Sequence, residues 1–122
     1  MRSVFIGFET FSPENLKASN KCQNLQRDYS AAVKRLHSLG IMINGSFVFG
    51  LDHDDADVFR RAVDWGVDNA ITTATYHILT PYPGTRQFKR MEAEGRILTY
   101  DWSKYDTRTV VYQTRGLSAE QL

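Results

Sequence analysis

The sequence predicts an α/β fold in which three parallel βα units, a short C-terminal strand and an incomplete helix form a single partial domain over residues 1–122. Two observations carry that prediction. Short apolar runs of the kind buried on both faces of a sheet alternate three times with amphipathic segments at helical spacing, and strands joined through helices pair in parallel with right-handed crossovers. The chain has 122 residues, 42% of them hydrophobic and 24% charged. A chain of that length buries roughly two-thirds of its unfolded surface, enough for one core and too little for two domains.

The first element is Ser3-Val-Phe-Ile-Gly-Phe8, a β-branched and aromatic run that begins almost at the initial Met, and a strand is expected at Val4–Phe8. Phe11-Ser-Pro-Glu-Asn-Leu16 then starts a short helix, with Ser12 as N-cap and Pro13 at the first helical position. Asn20 to Asn24 interrupts it. A second helix is expected from Asp28, where Tyr29, Ala32, Val33, Leu36 and Leu39 make one apolar face that Gly40 ends. Ile41 to Leu51 is the most strand-like segment and is expected at the centre of the sheet, over Met42–Gly50. Asp52-His-Asp-Asp-Ala-Asp57 supplies N-cap candidates for a helix carrying Val58, Phe59, Ala62, Val63 and Trp65. The third strand, expected at Thr73–Leu79, runs into Thr80-Pro-Tyr-Pro-Gly-Thr85, which Pro and Gly force out of both helix and ladder. Thr85 caps a helix with Phe88 and Met91 inward and Gly95 at its end. Beyond it, Thr109 to Gln113 reads as a short strand and Ser118 to Leu122 as a capped helix left incomplete. Both ends have the look of a cut.

Composition narrows the function. Fifteen Lys and Arg against fourteen Asp and Glu leave a formal charge of +1, so no strong electrostatic footprint for nucleic acid or an acidic membrane is expected. No apolar run has membrane-spanning length and no signal peptide is recognisable, and the single cysteine, Cys22, forms no internal disulfide; a reducing cytoplasm is the expected location. One thiol holds neither a structural zinc nor an iron–sulfur cluster. The three histidines, His37, His53 and His77, fall in a helix, an acidic turn and a strand, so their spacing supports no metal site. The acids of Asp52 to Asp55 read as an N-cap cluster in preference to a hard-cation loop. Arg86, Lys89 and Arg90 read as a solvated helix face.

Ligands of parallel sheets bind beyond the carboxyl ends of the strands, here Glu9-Thr10, Gly50 to His53 and Thr80 to Gly84. A carboxylate there accepts both hydroxyls of a ribose, glycines let backbone approach a flat base, and a lysine pairs with a carboxylate. On residue type alone, Glu9 serves equally well as a cap or first-turn acid of the helix after it, and Lys21 is ordinarily a solvated loop residue.

Taken together, Ile6-Gly-Phe-Glu-Thr10, Asn20-Lys21, Asn44-Gly-Ser-Phe-Val-Phe-Gly-Leu51 and Leu79-Thr-Pro-Tyr-Pro-Gly-Thr85 resemble, in order and spacing, the radical S-adenosylmethionine (radical SAM) superfamily. The branch they most resemble is that of the uncharacterised Fe–S oxidoreductases often linked to a cobalamin-binding domain. The resemblance runs from about Ser3 to Gln113 and covers the C-terminal half of a catalytic domain: strands four to six of a six-unit partial TIM-type barrel and the start of the extension that follows. It implies cofactor-binding roles residue by residue. Glu9 matches a ribose contact at the end of strand four, Lys21 a partner of the methionine carboxylate, Ser46 a second ribose contact, and Val48 and Gly50 the adenine motif of strand five.

The sequence departs from the family in one decisive respect. The Cys-x-x-x-Cys-x-x-Cys loop that binds the [4Fe–4S] cluster belongs to the first βα unit and has no counterpart here, so the resemblance implies weak S-adenosylmethionine binding and no catalytic residues in this chain alone. The expected function is that of a truncated or fragmentary radical SAM-type protein, oxidoreductase-like in its parent family. The alternative is a stand-alone α/β module for a nucleotide-like ligand or for protein interaction, completed by a partner chain. The expected partners are a second copy at an exposed sheet edge or a chain supplying the missing half-barrel, with neither nucleic acid nor membrane.

Overall fold

The computed structural model describes residues 2–18 and 29–122. The elements run β1 (Arg2–Glu9), α1 (Pro13–Ala18), α2 (Tyr29–Ser38), β2 (Ile41–Phe49), α3 (Val58–Asp68), β3 (Thr73–Ile78) and α4 (Arg86–Ala93), followed by a single 3₁₀ turn at Trp102–Lys104. The three strands form one open, fully parallel sheet in the order β1-β2-β3, as alternating βα units require. Pairing places Val4 beside Ile43, Gly7 beside Ser46, Ser46 beside Thr75 and Val48 beside His77.

Alternation along these strands divides the sheet into two faces. Val4, Ile6, Phe8, Ile43, Phe47 and Phe49 face the helices and pack with Val33 of α2, Ala62 and Trp65 of α3, and Phe11. The Phe8 ring lies 4.7 Å from Trp65, 5.3 Å from Tyr29 and 5.7 Å from Phe47. Burying each such ring is worth about 1.5–3 kcal/mol, so this face supplies the main driving force for the fold. Ser3, Phe5 and Gly7 of β1, Asn44, Ser46 and Val48 of β2, and Thr75 and His77 of β3 share the other face, which is distinctly more polar.

A second, smaller cluster of Phe88, Met91, Tyr105, Val111 and Tyr112 sits under α4. The helix starts as its cap predicts, with Thr85 Oγ1 accepting the Phe88 N–H at 3.2 Å. The expected strand at Thr109–Gln113 is reduced to one antiparallel bridge, Ile97 to Tyr112, flanked by the bonds Leu98 N–H to Val111 O and Gln113 N–H to Arg96 O. Its partner segment is confined between the Gly95 turn and the 3₁₀ turn at Trp102–Lys104, too short to sustain a ladder. Ser118–Leu122 makes one turn, with Gln121 Oε1 accepting the Ser118 N–H at 2.8 Å, where a helix start was expected. The apolar face of α2 is narrower than its periodicity suggests: Val33 is buried, but Ala32 and Leu39 are exposed because only the strip facing β2 is covered. Val63 of α3 is likewise exposed.

Candidate functional site at the carboxyl ends of β1 and β2

Glu9 ends β1 with φ 59°, in left-handed space that a residue with a side chain rarely adopts. The pairing with β2 slips at the same place, Gly7 opposing Ser46 and Glu9 opposing Phe47, so Phe8 is the extra residue of a β-bulge. The twist carries the Glu9 carboxylate back over Gly7, where Glu9 Oε1 lies 3.6 Å from the point a Gly7 Cβ would occupy. Glu9 is therefore brought to the polar sheet face, one strand from Ser46. Ser12 caps α1, its hydroxyl accepting the Asn15 N–H at 3.3 Å.

Ser46 is 8% exposed, and the neighbouring Asn44 has a buried Oδ1 with no hydrogen-bond partner among the described residues. Such an acceptor is costly unless a donor reaches it. Val48 is the next residue of that face toward the carboxyl end, beside His77. The structure thus brings Glu9, Ser46 and Val48 onto one surface. Gly50 lies just beyond, at φ 93°, with the Tyr112 hydroxyl and Leu122 in the space a side chain would need. Its N–H donates to Asp54 Oδ2 at 2.9 Å and its C=O accepts from the Tyr112 hydroxyl. Lys21 and Cys22 lie outside the described residues.

On the helix side of the same strand ends is a cavity of about 320 Å³, floored by Phe11, Phe47 and Phe49 and rimmed by Glu9, Ser12, Glu14, His53, Asp55 and Arg61. The backbone and the Ser12 hydroxyl hold the Glu14 carboxyl below its ordinary value, and the Arg61 guanidinium does the same for Asp55. No group of three His, Cys, Asp or Glu side chains able to hold a metal occurs among the described residues.

The acidic turn after β2 is not an N-cap cluster. Asp57 precedes α3, but its side chain makes no cap and pairs with Arg60 at 2.8 Å. Asp55 bonds Arg61, and Asp52 accepts from Arg96 at 2.7 Å and Arg90 at 3.1 Å. Asp54, 3% exposed, accepts the N–H groups of Gly50 and Leu51 and the Asn15 amide at 2.7 Å, while Asn15 Oδ1 accepts the His53 N–H. Burial pushes the Asp54 carboxyl above its ordinary value, the Leu51 and Gly50 bonds offsetting this in part.

Sequence reasoning missed the residues that brace this turn. Arg96 is 6% exposed, spans Asp52, Glu94 and the Gln113 carbonyl, and lies over the Tyr112 ring at 5.8 Å. Its signal in the sequence is one arginine after a helix-ending glycine, indistinguishable from a solvated one. The basic stripe of α4 is exposed throughout, at Arg86, Lys89 and Arg90, and Arg90 also reaches Asp52 at 3.1 Å.

No family model matches the sequence. Over 117 residues, 96% of the chain, it is 38% identical to the bacteriochlorophyllide d C-12(1)-methyltransferase of Chlorobaculum tepidum. It is 28% identical over 81% of its length to the hopanoid C-2 methylase of Rhodopseudomonas palustris, and 26% identical over 98% to an anaerobic magnesium-protoporphyrin IX monomethyl ester cyclase of Cereibacter sphaeroides. It spans 25% of the length of the first of these and 19% of each of the others. The chain is thus similar, nearly end to end, to one segment of much longer methyltransferases and cyclases.

Proposed function

We propose that this chain is the C-terminal half of a radical SAM catalytic domain and retains the adenosyl side of an S-adenosylmethionine site. The observation that carries the reading is the left-handed bulge at Glu9, which sets a carboxylate beside Ser46 on the polar sheet face at the strand ends. Support comes from the similarity to methyltransferases and a cyclase along nearly the whole chain. The adenosyl group fits the residues present: Glu9 and Ser46 meet ribose hydroxyls, Val48 packs on adenine, and the unpartnered Asn44 oxygen lies on the same face to accept a ligand donor. Gly50 contributes shape, since both its backbone groups are engaged. For Lys21, which lies outside the described residues, the resemblance alone implies a pairing with the methionine carboxylate. The iron–sulfur cluster does not fit, because three thiolates hold it in the family and this chain has one cysteine. Radical chemistry therefore belongs to a completed domain, in which the remaining half, with or without a cobalamin-binding domain, is supplied by further chain or by a partner in a reducing cytoplasm.

The test is a titration of S-adenosylmethionine and 5′-deoxyadenosine followed by NMR on the intact chain and on Glu9→Ala. Retaining about 4 kcal/mol of binding energy gives a dissociation constant near 1 mM. Shifts are expected at Glu9, Ser46, Val48 and Gly50 and are expected to vanish in the variant. Shifts that cluster on Phe11, His53 and Arg61, around the helix-side cavity, favour a stand-alone nucleotide-binding module instead. After anaerobic reconstitution with iron and sulfide the chain is expected to form no 5′-deoxyadenosine, and its detection above a protein-free control overturns the reading.

A further inference from the structure

We infer that Asp54 and Tyr112 are positioning residues that clamp Gly50 from both sides and so set the shape of the adenine-facing turn. The inference rests on the adenosyl-site reading and extends it to residues that do not touch the ligand. Gly50 leaves β2 in left-handed space, where glycine has many other conformations within reach. Two buried groups remove that freedom. The Asp54 carboxylate, 3% exposed, takes the Gly50 N–H at 2.9 Å and the Leu51 N–H at 3.0 Å, and Asn15 Nδ2 fixes its other oxygen at 2.7 Å. The hydroxyl of Tyr112, a fully buried residue, donates to the Gly50 C=O. Tyr112 is itself held by the bridge to Ile97 and by the Arg96 guanidinium over its ring. Gly116 lies so close against the Asp54 carbonyl that a side chain there has no room, which ties the segment after Tyr112 to the same turn. With both polar groups of Gly50 satisfied inside the protein, the turn is preformed, and the ligand need not order it on binding.

The experiment compares the intact chain with Tyr112→Phe, which keeps the ring and removes only the hydroxyl, and with Asp54→Asn as a second variant. An exposed control, Arg60→Ala, accompanies them. Four quantities are read: the thermal midpoint, the amide exchange rate at Gly50, its carbonyl ¹³C shift, and the dissociation constant for 5′-deoxyadenosine. In Tyr112→Phe the Gly50 carbonyl resonance is expected to move, Gly50 and Leu51 amides to exchange at least about tenfold faster than in the control, and affinity to fall about fivefold or more while the midpoint stays within a few degrees. Wild-type binding with unaltered affinity in both clamp variants overturns the inference and leaves the adenosyl site standing. Unchanged exchange and carbonyl shift at Gly50 overturn it too. Absence of ligand-induced shifts at Glu9, Ser46 and Val48 in the wild type overturns the adenosyl reading, and the inference with it.

Discussion

At φ 59° Glu9 occupies backbone space that costs a residue with a Cβ about 1–2 kcal/mol, a cost typically tolerated where a side chain must be aimed. Glu9→Gly removes that cost and the carboxylate together. The variant is expected to be up to about 1 kcal/mol more stable in urea unfolding and to show no adenosyl-induced shifts. Lower stability shows that the carboxylate serves the fold instead. The position of Glu9 is legible in the sequence, since it follows an apolar strand run; its conformation is not, because nothing local to Phe8-Glu9-Thr10 demands a bulge. Arg96 is the opposite case, illegible in sequence and central in space. Arg96→Met leaves Asp52 poorly paired beneath the surface and is expected to cost about 3 kcal/mol at neutral pH. The same network sets the acid response. Burial alone raises Asp52, but the Arg96 hydrogen bond and charge outweigh it, and Arg96 likewise lowers Glu94. For a carboxyl lowered on folding, the stabilisation is complete above the unfolded values, 3.8 for Asp and 4.5 for Glu, and is lost as pH falls through the folded ones. Asp54, raised by burial, works in the other direction: protonation relieves its cost as pH falls. Urea midpoints measured downward from pH 5 are expected to fall in the wild type and to fall less steeply in Arg96→Met. Equal slopes remove Arg96 from the acid response.

Among the elements, those with a local physical signature are the ones the sequence discloses. β2 is legible as the central strand because both its edges are paired and Ile43, Phe47 and Phe49 of its helix face are buried. Ser12 and Thr85 announce α1 and α4 because a hydroxyl before a helical run satisfies an otherwise open N–H. Thr85→Ala is expected to cost about 1 kcal/mol by removing the bond to the Phe88 N–H. Because Phe88 and Met91 anchor the second cluster, amide exchange in α4 is expected to accelerate while exchange in β2 stays unchanged. Acceleration spread evenly through β2 shows that the two clusters open as one unit. The segment after Gly95 escapes a pattern reading for the same physical reason that it works as a brace. Its contacts are single long-range ones, Ile97 to Tyr112 and Arg96 to Asp52, and leave no period in the chain. Asp52 to Asp57 mislead because acids before a helix suggest caps, whereas three of them are committed to Arg96, to Arg61 and to the Gly50 turn.

For the whole molecule the two sheet edges differ. Thr107, itself left-handed at φ 64°, closes the carboxyl end of β3: its C=O accepts the Ile78 N–H at 2.8 Å and its hydroxyl lies 3.2 Å from His77 Nδ1. Among the described residues β1 pairs only with β2, which leaves its other edge without a strand, and Phe5 on that strand is 64% exposed. An unpaired edge carrying an apolar ring is a template for another strand, and sheets normally cover or charge such edges. Where no further half-barrel is present, a second copy is expected to join edge to edge or by exchange of elements. Sedimentation velocity across the micromolar range is expected to show species heavier than the monomer. Phe5→Lys places a charge on the edge without touching the helix-facing core, and it is expected to restore the monomer while leaving the thermal midpoint of the folded unit nearly unchanged. A monodisperse wild-type monomer at high micromolar concentration shows that the β1 edge recruits no second copy.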